Sequence, residues 1–173
     1  MKIGIVSDSH DRADALASAV RDAAAQGASA VIHCGDLIGA HTLRLAMAAG
    51  LPLHLIHGNN LGDPGALHAL SRINGGLIHY HGMDARLDLA GRRIFAVHYP
   101  EYGHAMACTG DWDLVCCGHS HCAGVECVSN VKGQTTWLVN PGTVAGIAAP
   151  ATWVLGDLTT MRFAIQFTPS MAP

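Results

Sequence analysis

Charge is scarce in this chain. Only 13% of its 173 residues are Asp, Glu, Lys or Arg, while 50% are apolar. That balance excludes a disordered chain, which needs low hydrophobicity and high net charge. The charges nearly cancel, to −3 with neutral histidines, so no basic surface is expected to grip nucleic acid non-specifically. Long apolar runs are also missing. His, Gly or a charge interrupts each run well before the roughly 18 residues that a membrane span needs. No basic stretch with an apolar core and a small-residue cleavage site precedes the first strand-like segment, Ile3 to Val6. These absences lead to the expectation of a cytoplasmic protein with no membrane partner and no extended nucleic-acid surface. The six cysteines, Cys34, Cys108, Cys116, Cys117, Cys122 and Cys127, form no C-x-x-C pair. A structural zinc knuckle is therefore unsupported, and buried thiols in a reducing compartment are expected. Repeats, linkers and charge blocks are absent too. One domain is expected over residues 1–167, with a loose tail at 168–173. No sequence signal specifies an oligomer.

What the chain does contain is alternation of two periods. Ile3–Val6 reads as a buried strand. Residues 12–26 then carry Ala13, Leu16, Ala17, Val20 and Ala24 at helical spacing, with Gly27 as a stop. Ala30–His33 is a second strand and Thr42–Ala49 a helix ended by Gly50. Leu53–Ile56 is a third strand, and Pro64–Ser71 a short helix with proline in its first turn. This order predicts right-handed βαβ units and a parallel sheet. Beyond Gly75 the pattern changes to hairpins. Arg86–Ala90 and Arg93–Val97 flank Gly91, Gly124–Ser129 and Gln134–Val139 flank a turn, and Thr152–Leu155 and Arg162–Phe167 close the chain. Between them lie a helical stretch, Tyr102–Ala107, and a buried strand, Leu114–Cys117. Parallel strands early and antiparallel strands late suggest an α/β protein with two sheets face to face and helices outside.

Polar clusters come directly after these strands. They are Asp8-Ser9-His10, Gly35-Asp36, His57-Gly58-Asn59-Asn60, His98 and Gly118-His119-Ser120-His121. In open α/β sheets, sites gather outside the carboxyl ends of the strands, so clusters far apart in sequence should converge. Carboxylates and neutral imidazoles suit divalent Mn, Fe, Zn or Ni. In Asp8-x-His10 and His119-x-His121, ligands two apart on extended backbone would point the same way. Glycines 35, 58 and 118 would allow close backbone approach. Taken singly, each cluster has a plainer reading: Asp8 as a helix cap, Gly35-Asp36 as a turn, Asn59-Asn60 as an Asx-type loop. Their joint occurrence at strand ends favours two ions sharing a carboxylate, the arrangement that activates water and clamps a phosphoryl group. His33, His54, His57, His68, His79, His81 and His104 lack this arrangement and read as surface or satisfied, partly buried side chains. His41 lies just beyond Asp36 on the same rim.

On Asp8-x-His10, Gly35-Asp36, Gly58-Asn59, His98 and Gly118-His119-x-His121, the chain resembles the calcineurin-like metallophosphoesterase superfamily. It is most similar to the short, single-domain prokaryotic phosphodiesterases, which also carry a stretch like Asn140-Pro141-Gly142-Thr143 here. The resemblance implies a four-layer α/β/β/α sandwich and hydrolysis of a small phosphoester. It implies that Asp8, His10, Asp36 and His121 hold one divalent ion and that Asp36, Asn59, His98 and His119 hold the other, with Asp36 as bridge. Manganese is favoured, with iron, nickel or zinc as alternatives, and a metal-bound hydroxide would attack phosphorus in line. Three positions depart from the family pattern. Asn60 stands where larger members have a histidine that protonates the leaving group, Leu61 where an acidic residue is usual, and Tyr99 where glycine commonly comes after the histidine. Asn60 cannot act as a general acid, so good leaving groups would be favoured. The family also contains a retromer subunit, so a binding scaffold with reduced catalysis is the alternative reading. Here, however, every ligand position is filled.

Overall fold

The structure, a computed structural model, describes residues 1–73 and 75–168. Its elements in chain order are β1 (Lys2–Val6), α1 (Ala13–Ala25), β2 (Ala28–His33), α2 (Leu43–Ala46), β3 (Leu53–Leu55), α3 (Pro64–Ile73), β4 (Ile78–Tyr80), β5 (Asp84–Leu89), β6 (Arg92–Val97), α4 (Pro100–Cys108), β7 (Leu114–Cys116), β8 (Gly124–Ser129), β9 (Thr135–Asn140), β10 (Thr152–Asp157) and β11 (Arg162–Phe167). They form two mixed sheets, a six-stranded one ordered β11-β10-β1-β2-β3-β4 and a five-stranded one ordered β5-β6-β7-β9-β8. β1 to β4 are mutually parallel, and so are β6, β7 and β9.

Strand alternation sorts the apolar side chains into three cores, and the cores define four layers. Ile3, Ile5, Ala30 and Ile32 of the larger sheet meet Ala85, Leu87, Ile94, Ala96, Leu114 and Cys116 of the smaller one between the sheets. The opposite face of the larger sheet, with Val31, Leu53, Leu55 and Trp153, packs on Leu16, Val20 and Ala23 of α1, Leu43 of α2 and Leu67 of α3. The opposite face of the smaller sheet presents Phe95, Val115 and Leu138 to Ala107 of α4. The result is the expected helix, sheet, sheet, helix order. Each helix buries one stripe. In α1 the buried residues are Leu16, Ala17, Ala19, Val20 and Ala23, which share a face at 3.6 residues per turn.

The structure completes or changes several local expectations. The final hairpin, whose sheet the sequence leaves open, joins the first sheet, where β10 pairs antiparallel with β1. β4 leaves no strand signal in the sequence, because a three-residue edge strand is too short to show a period. The helix expected over Thr42–Ala49 is a single α-turn, Leu43–Ala46, between 3₁₀ turns at Ala40–Thr42 and Met47–Ala49. Thr168, placed in the expected tail, is buried and donates its N–H to the Ala151 carbonyl at 3.0 Å. Residues 169–173 of that expected tail lie outside the described residues. No helix among the described residues is long and apolar enough to cross a membrane.

Candidate metal centre

The parallel arrangement places the carboxyl ends of β1, β2, β3, β6 and β7 at one edge, and the polar clusters beyond them meet there. Backbone bonds lace the loops together. Asp8 N–H donates to Gly35 O and His10 N–H to Asp36 O, each at 3.0 Å, while Gly118 N–H donates to His98 O at 2.9 Å. The Asn140–Thr143 stretch supports the same point from behind. Thr143 Oγ1 donates to Asp8 O at 3.0 Å, and Asn140 Nδ2 donates to Gly118 O at 2.8 Å.

Two donor groups result. In the first, Asp8 Oδ1 lies 3.3 Å from His121 Nε2 and 3.7 Å from His10 Nε2, and the two imidazole nitrogens are 3.1 Å apart. In the second, His98 Nε2 lies 3.5 Å from Asp36 Oδ1 and 3.0 Å from Asn59 Oδ1. Asp36 joins the groups, since its Oδ2 is 3.9 Å from His10 Nε2. Three of the four side chains expected at the second site, Asp36, Asn59 and His98, thus come together directly. The fourth, His119, packs its ring edge-on against His98, with centroids 5.1 Å apart, and its backbone N–H donates to Asp8 Oδ2 at 3.0 Å. Asn60 donates to Asp36 twice, from its N–H at 2.8 Å and from its side-chain amide at 2.6 Å.

The donor set has the chemistry of a cation site. His98 Nδ1 faces the Cys34 carbonyl and His121 Nδ1 faces the Ile147 carbonyl, both at 2.8 Å. Each ring therefore carries its proton at Nδ1 and turns the Nε2 lone pair inward. Asp8 Oδ1 is buried and has no hydrogen-bond partner. A buried, unpaired carboxylate oxygen among imidazole lone pairs is costly by itself and is satisfied by a positive ion. Asp36 and His98 face each other closely enough to shift each other's ionisation. Burial pushes the Asp36 carboxyl up, but the hydrogen bonds from His98 and Asn60 outweigh it and hold the group well below the usual carboxylate range. Burial lowers His98, yet the Asp36 carboxylate and the Cys34 carbonyl reverse the sign and leave it raised.

One expectation about how the ligands are presented is overturned. Asp8, His10, Asp36, His119 and His121 all have positive φ, between 42° and 66°. Left-handed turns, not extended backbone, aim the side chains. Non-glycine residues rarely occupy that region, and such strain gathers at functional sites. The glycines act through close approach. A Cβ at Gly58 would overlap Asp36 Oδ1 and come within 2.7 Å of His98 Nε2; one at Gly118 would overlap Ser7 Oγ and come within 2.8 Å of Asp8 Oδ2.

The expectation of a surface or partly buried His33 also fails. The residue is fully buried behind the centre, with Nδ1 accepting from Gly35 N–H at 3.3 Å and Nε2 meeting Ser9 Oγ at 3.0 Å. Burial, then the charge of His98, lowers its pKa to about 3, so the ring is neutral. The one clue in the sequence is its place at a strand end two residues before Gly35. His41 is 73% exposed and lies 3.9 Å from Asp11 Oδ1. Tyr99 sits edge-on to His119, at 4.8 Å between centroids, and to His98, at 5.4 Å.

Residues 1–161 match the model of the calcineurin-like phosphoesterase superfamily domain. The chain belongs to this superfamily. Its members are metal-dependent phosphoesterases, in keeping with the two donor groups here. A curated relative, a phosphodiesterase of Methanocaldococcus jannaschii, is 28% identical over 84% of this chain and 86% of its own length. Among solved structures, a novel archaeal phosphodiesterase superposes with a TM-score of 0.85 at 23% identity, covering 96% of this chain and 99% of that one. A single mutant of Vps29 from Entamoeba histolytica superposes with a TM-score of 0.64 at 16% identity, covering 95% and 90%. These two likenesses are likenesses of fold.

Proposed function

We propose that this phosphoesterase is a phosphodiesterase working through two divalent ions, one in each donor group, with Asp36 shared between them. The observation that carries the reading is the orphaned Asp8 Oδ1 between His10 and His121, with Asp36 linking that group to His98 and Asn59. Ions held there would make a nucleophile of water at neutral pH and neutralise charge gathering on a phosphoryl group. The residues of the chain do the rest. Cys34 O and Ile147 O fix the ring tautomers, and Asn60 orients Asp36 with two hydrogen bonds. The exposed side of the centre, Asn59, Asn60, His119 and Ser120, forms an open rim through which a small phosphoester enters. The reading favours manganese, with iron, nickel or zinc as alternatives, because the donors are a mixture of oxygen and imidazole nitrogen. A scaffold without ions would leave these buried acceptors unpaired, which is costly. The free cysteines, three of them buried, suit a reducing compartment such as the cytoplasm. No membrane or extended nucleic-acid partner is proposed.

With Asn60 engaged on Asp36 and unable to give up a proton as a general acid, turnover should depend steeply on the leaving group. A properly placed acid typically contributes about 10²–10⁴-fold. Aryl phosphodiesters of graded leaving-group pKa, assayed with manganese, iron, nickel and zinc in turn alongside metal analysis, test both halves of the reading. The expected result is two bound ions, a steep pKa dependence, and preference for aryl diesters over alkyl monoesters. A flat dependence with chemistry rate-limiting would assign the proton to another residue. Hydrolysis undiminished after exhaustive chelation would remove the ions from the mechanism.

A further inference from the structure

A second gathering of imidazoles lies on the edge of the six-stranded sheet, on residues that the centre does not use. His54 of β3 pairs in register with His79 of β4, and His81 comes two residues later, so the three share one face. Leu53 and Leu55 point to the helix-side core, so His54 projects on the opposite face. None of the residues of β3 or β4 enters the core between the sheets. Here the apolar filling ends and the imidazoles take its place. The His54 ring stacks on His79 with centroids 4.7 Å apart and on His81 at 5.4 Å, and His54 Nδ1 lies 3.1 Å from His81 Nε2.

Among the described residues no carboxylate forms an ion pair with any of the three, so nothing there offsets a proton's charge. Burial, then the charges of His79 and His81, lowers the His54 pKa to about 4, and burial with His79 lowers His81. Both rings are neutral at physiological pH and keep a lone pair for a metal. Two imidazole nitrogens bound at about 2.0–2.1 Å in a tetrahedral site lie roughly 3.3 Å apart. The observed 3.1 Å between His54 Nδ1 and His81 Nε2 is already close to that spacing.

We propose that His54 and His81, joined by His79 after a turn of its ring, form a transition-metal site separate from the catalytic centre, suited to Zn²⁺ or Ni²⁺. The single proton between His54 Nδ1 and His81 Nε2 moves to the outer nitrogen of its own ring, so both inner lone pairs meet the ion. Water completes the open coordination. The ion clamps β4, an edge strand of three residues, to β3, the strand that leads to Asn59 in the centre. Imidazole ligands favour zinc and nickel over manganese, so this site and the manganese-supported centre can be filled independently.

Equilibrium dialysis of the full chain against Zn²⁺ and Ni²⁺ tests the site, comparing wild type with His81→Gln and with His54→Gln/His81→Gln. Wild type should bind one equivalent more than either variant, and Zn²⁺ should raise its Tm further than theirs. Manganese-supported hydrolysis should be the same in wild type and His81→Gln, whose substituted side chain is exposed. Equal stoichiometry in all three proteins would overturn the proposal. Nitrogen-15 spectra of the labelled wild-type histidines supply a readout that needs no substitution. Zn²⁺ added beyond the equivalents taken by the centre should shift the His54 Nδ1 and His81 Nε2 resonances. Unmoved resonances would show that the trio is only a hydrogen-bonded stack.

Discussion

Asp36 touches both donor groups, and no neutral side chain can hold two cations in its place. Asp36→Asn keeps size and shape, so the fold should survive while hydrolysis falls. Removing one preorganised charge-stabilising group typically costs about 10²–10³-fold, and a bridging ligand should cost at least that much. Turnover of an aryl phosphodiester at saturating metal, read beside a thermal melt, checks the pair of outcomes. Wild-type turnover in this variant would end the shared-ligand scheme. Tyr99 comes directly after His98 in the chain and stands against two of the proposed ligands. Its ring lies against His119 and His98 and also meets Tyr102 at 5.6 Å, so it borders the rim. Tyr99→Gly should widen the entrance and lower KM for bulky esters several-fold, leaving bound metal unchanged. Tyr99→Phe should raise KM if the hydroxyl touches phosphate. Unaltered kinetics in both variants, across a panel of ester sizes, would return Tyr99 to a packing role.

The parallel strands serve the centre through the tight turns at their carboxyl ends. Each turn decides where its ligand points. Gly58 allows the β3 loop to pass directly beneath Asp36 and His98. Gly58→Ala should therefore separate the second donor group. Overpacking of this kind typically costs about 1–3 kcal/mol, and metal content should fall with it. Gly50→Ala makes the control. Gly50 also has positive φ, 70°, but a Cβ there meets nothing within 4 Å. It should lose about 1 kcal/mol through backbone strain alone and keep its metal and its activity. Metal analysis and denaturant melts of the two variants separate the local clash from the general cost. If both lose metal equally, close approach at Gly58 is not the cause of the centre's shape.

At the scale of the whole molecule, buried His33 ties stability to pH. Its folded pKa, about 3, lies below its unfolded value of 6.5. As pH falls below 6.5 the unfolded chain takes up a proton that the native ring refuses, so stability is lost toward acid by about 1.4 kcal/mol per pH unit. His98 runs the other way, because its raised pKa contributes fully below 6.5 and is lost only as pH rises through the folded value. It adds no slope between pH 6 and pH 4. Denaturant melts of the chelated protein over that interval should show the loss, and His33→Gln should flatten the line by about 1.4 kcal/mol per unit. An unchanged slope would mean that His33 is protonated in the native state.

By itself the sequence determined the alternating elements, the two-sheet sandwich and the polar clusters after the strands. These are local matters, because burial on one face imposes a period of 2 or 3.6, and Gly-Asp, Gly-Asn and His-x-His stand out where that period stops. The tertiary structure decided everything that depends on neighbours distant in the chain. The left-handed turns at Asp8, His10, Asp36, His119 and His121 exist because hydrogen bonds such as His10 N–H to Asp36 O and Thr143 Oγ1 to Asp8 O hold them against their own preference. β10 joins β1, not the sheet built just before it, because the partner is chosen by available edges and not by sequence order. His33 and His54 carry the same side chain on adjacent parallel strands. One became a buried support behind the centre and the other part of an edge cluster, because the two faces of a sheet pack against different layers.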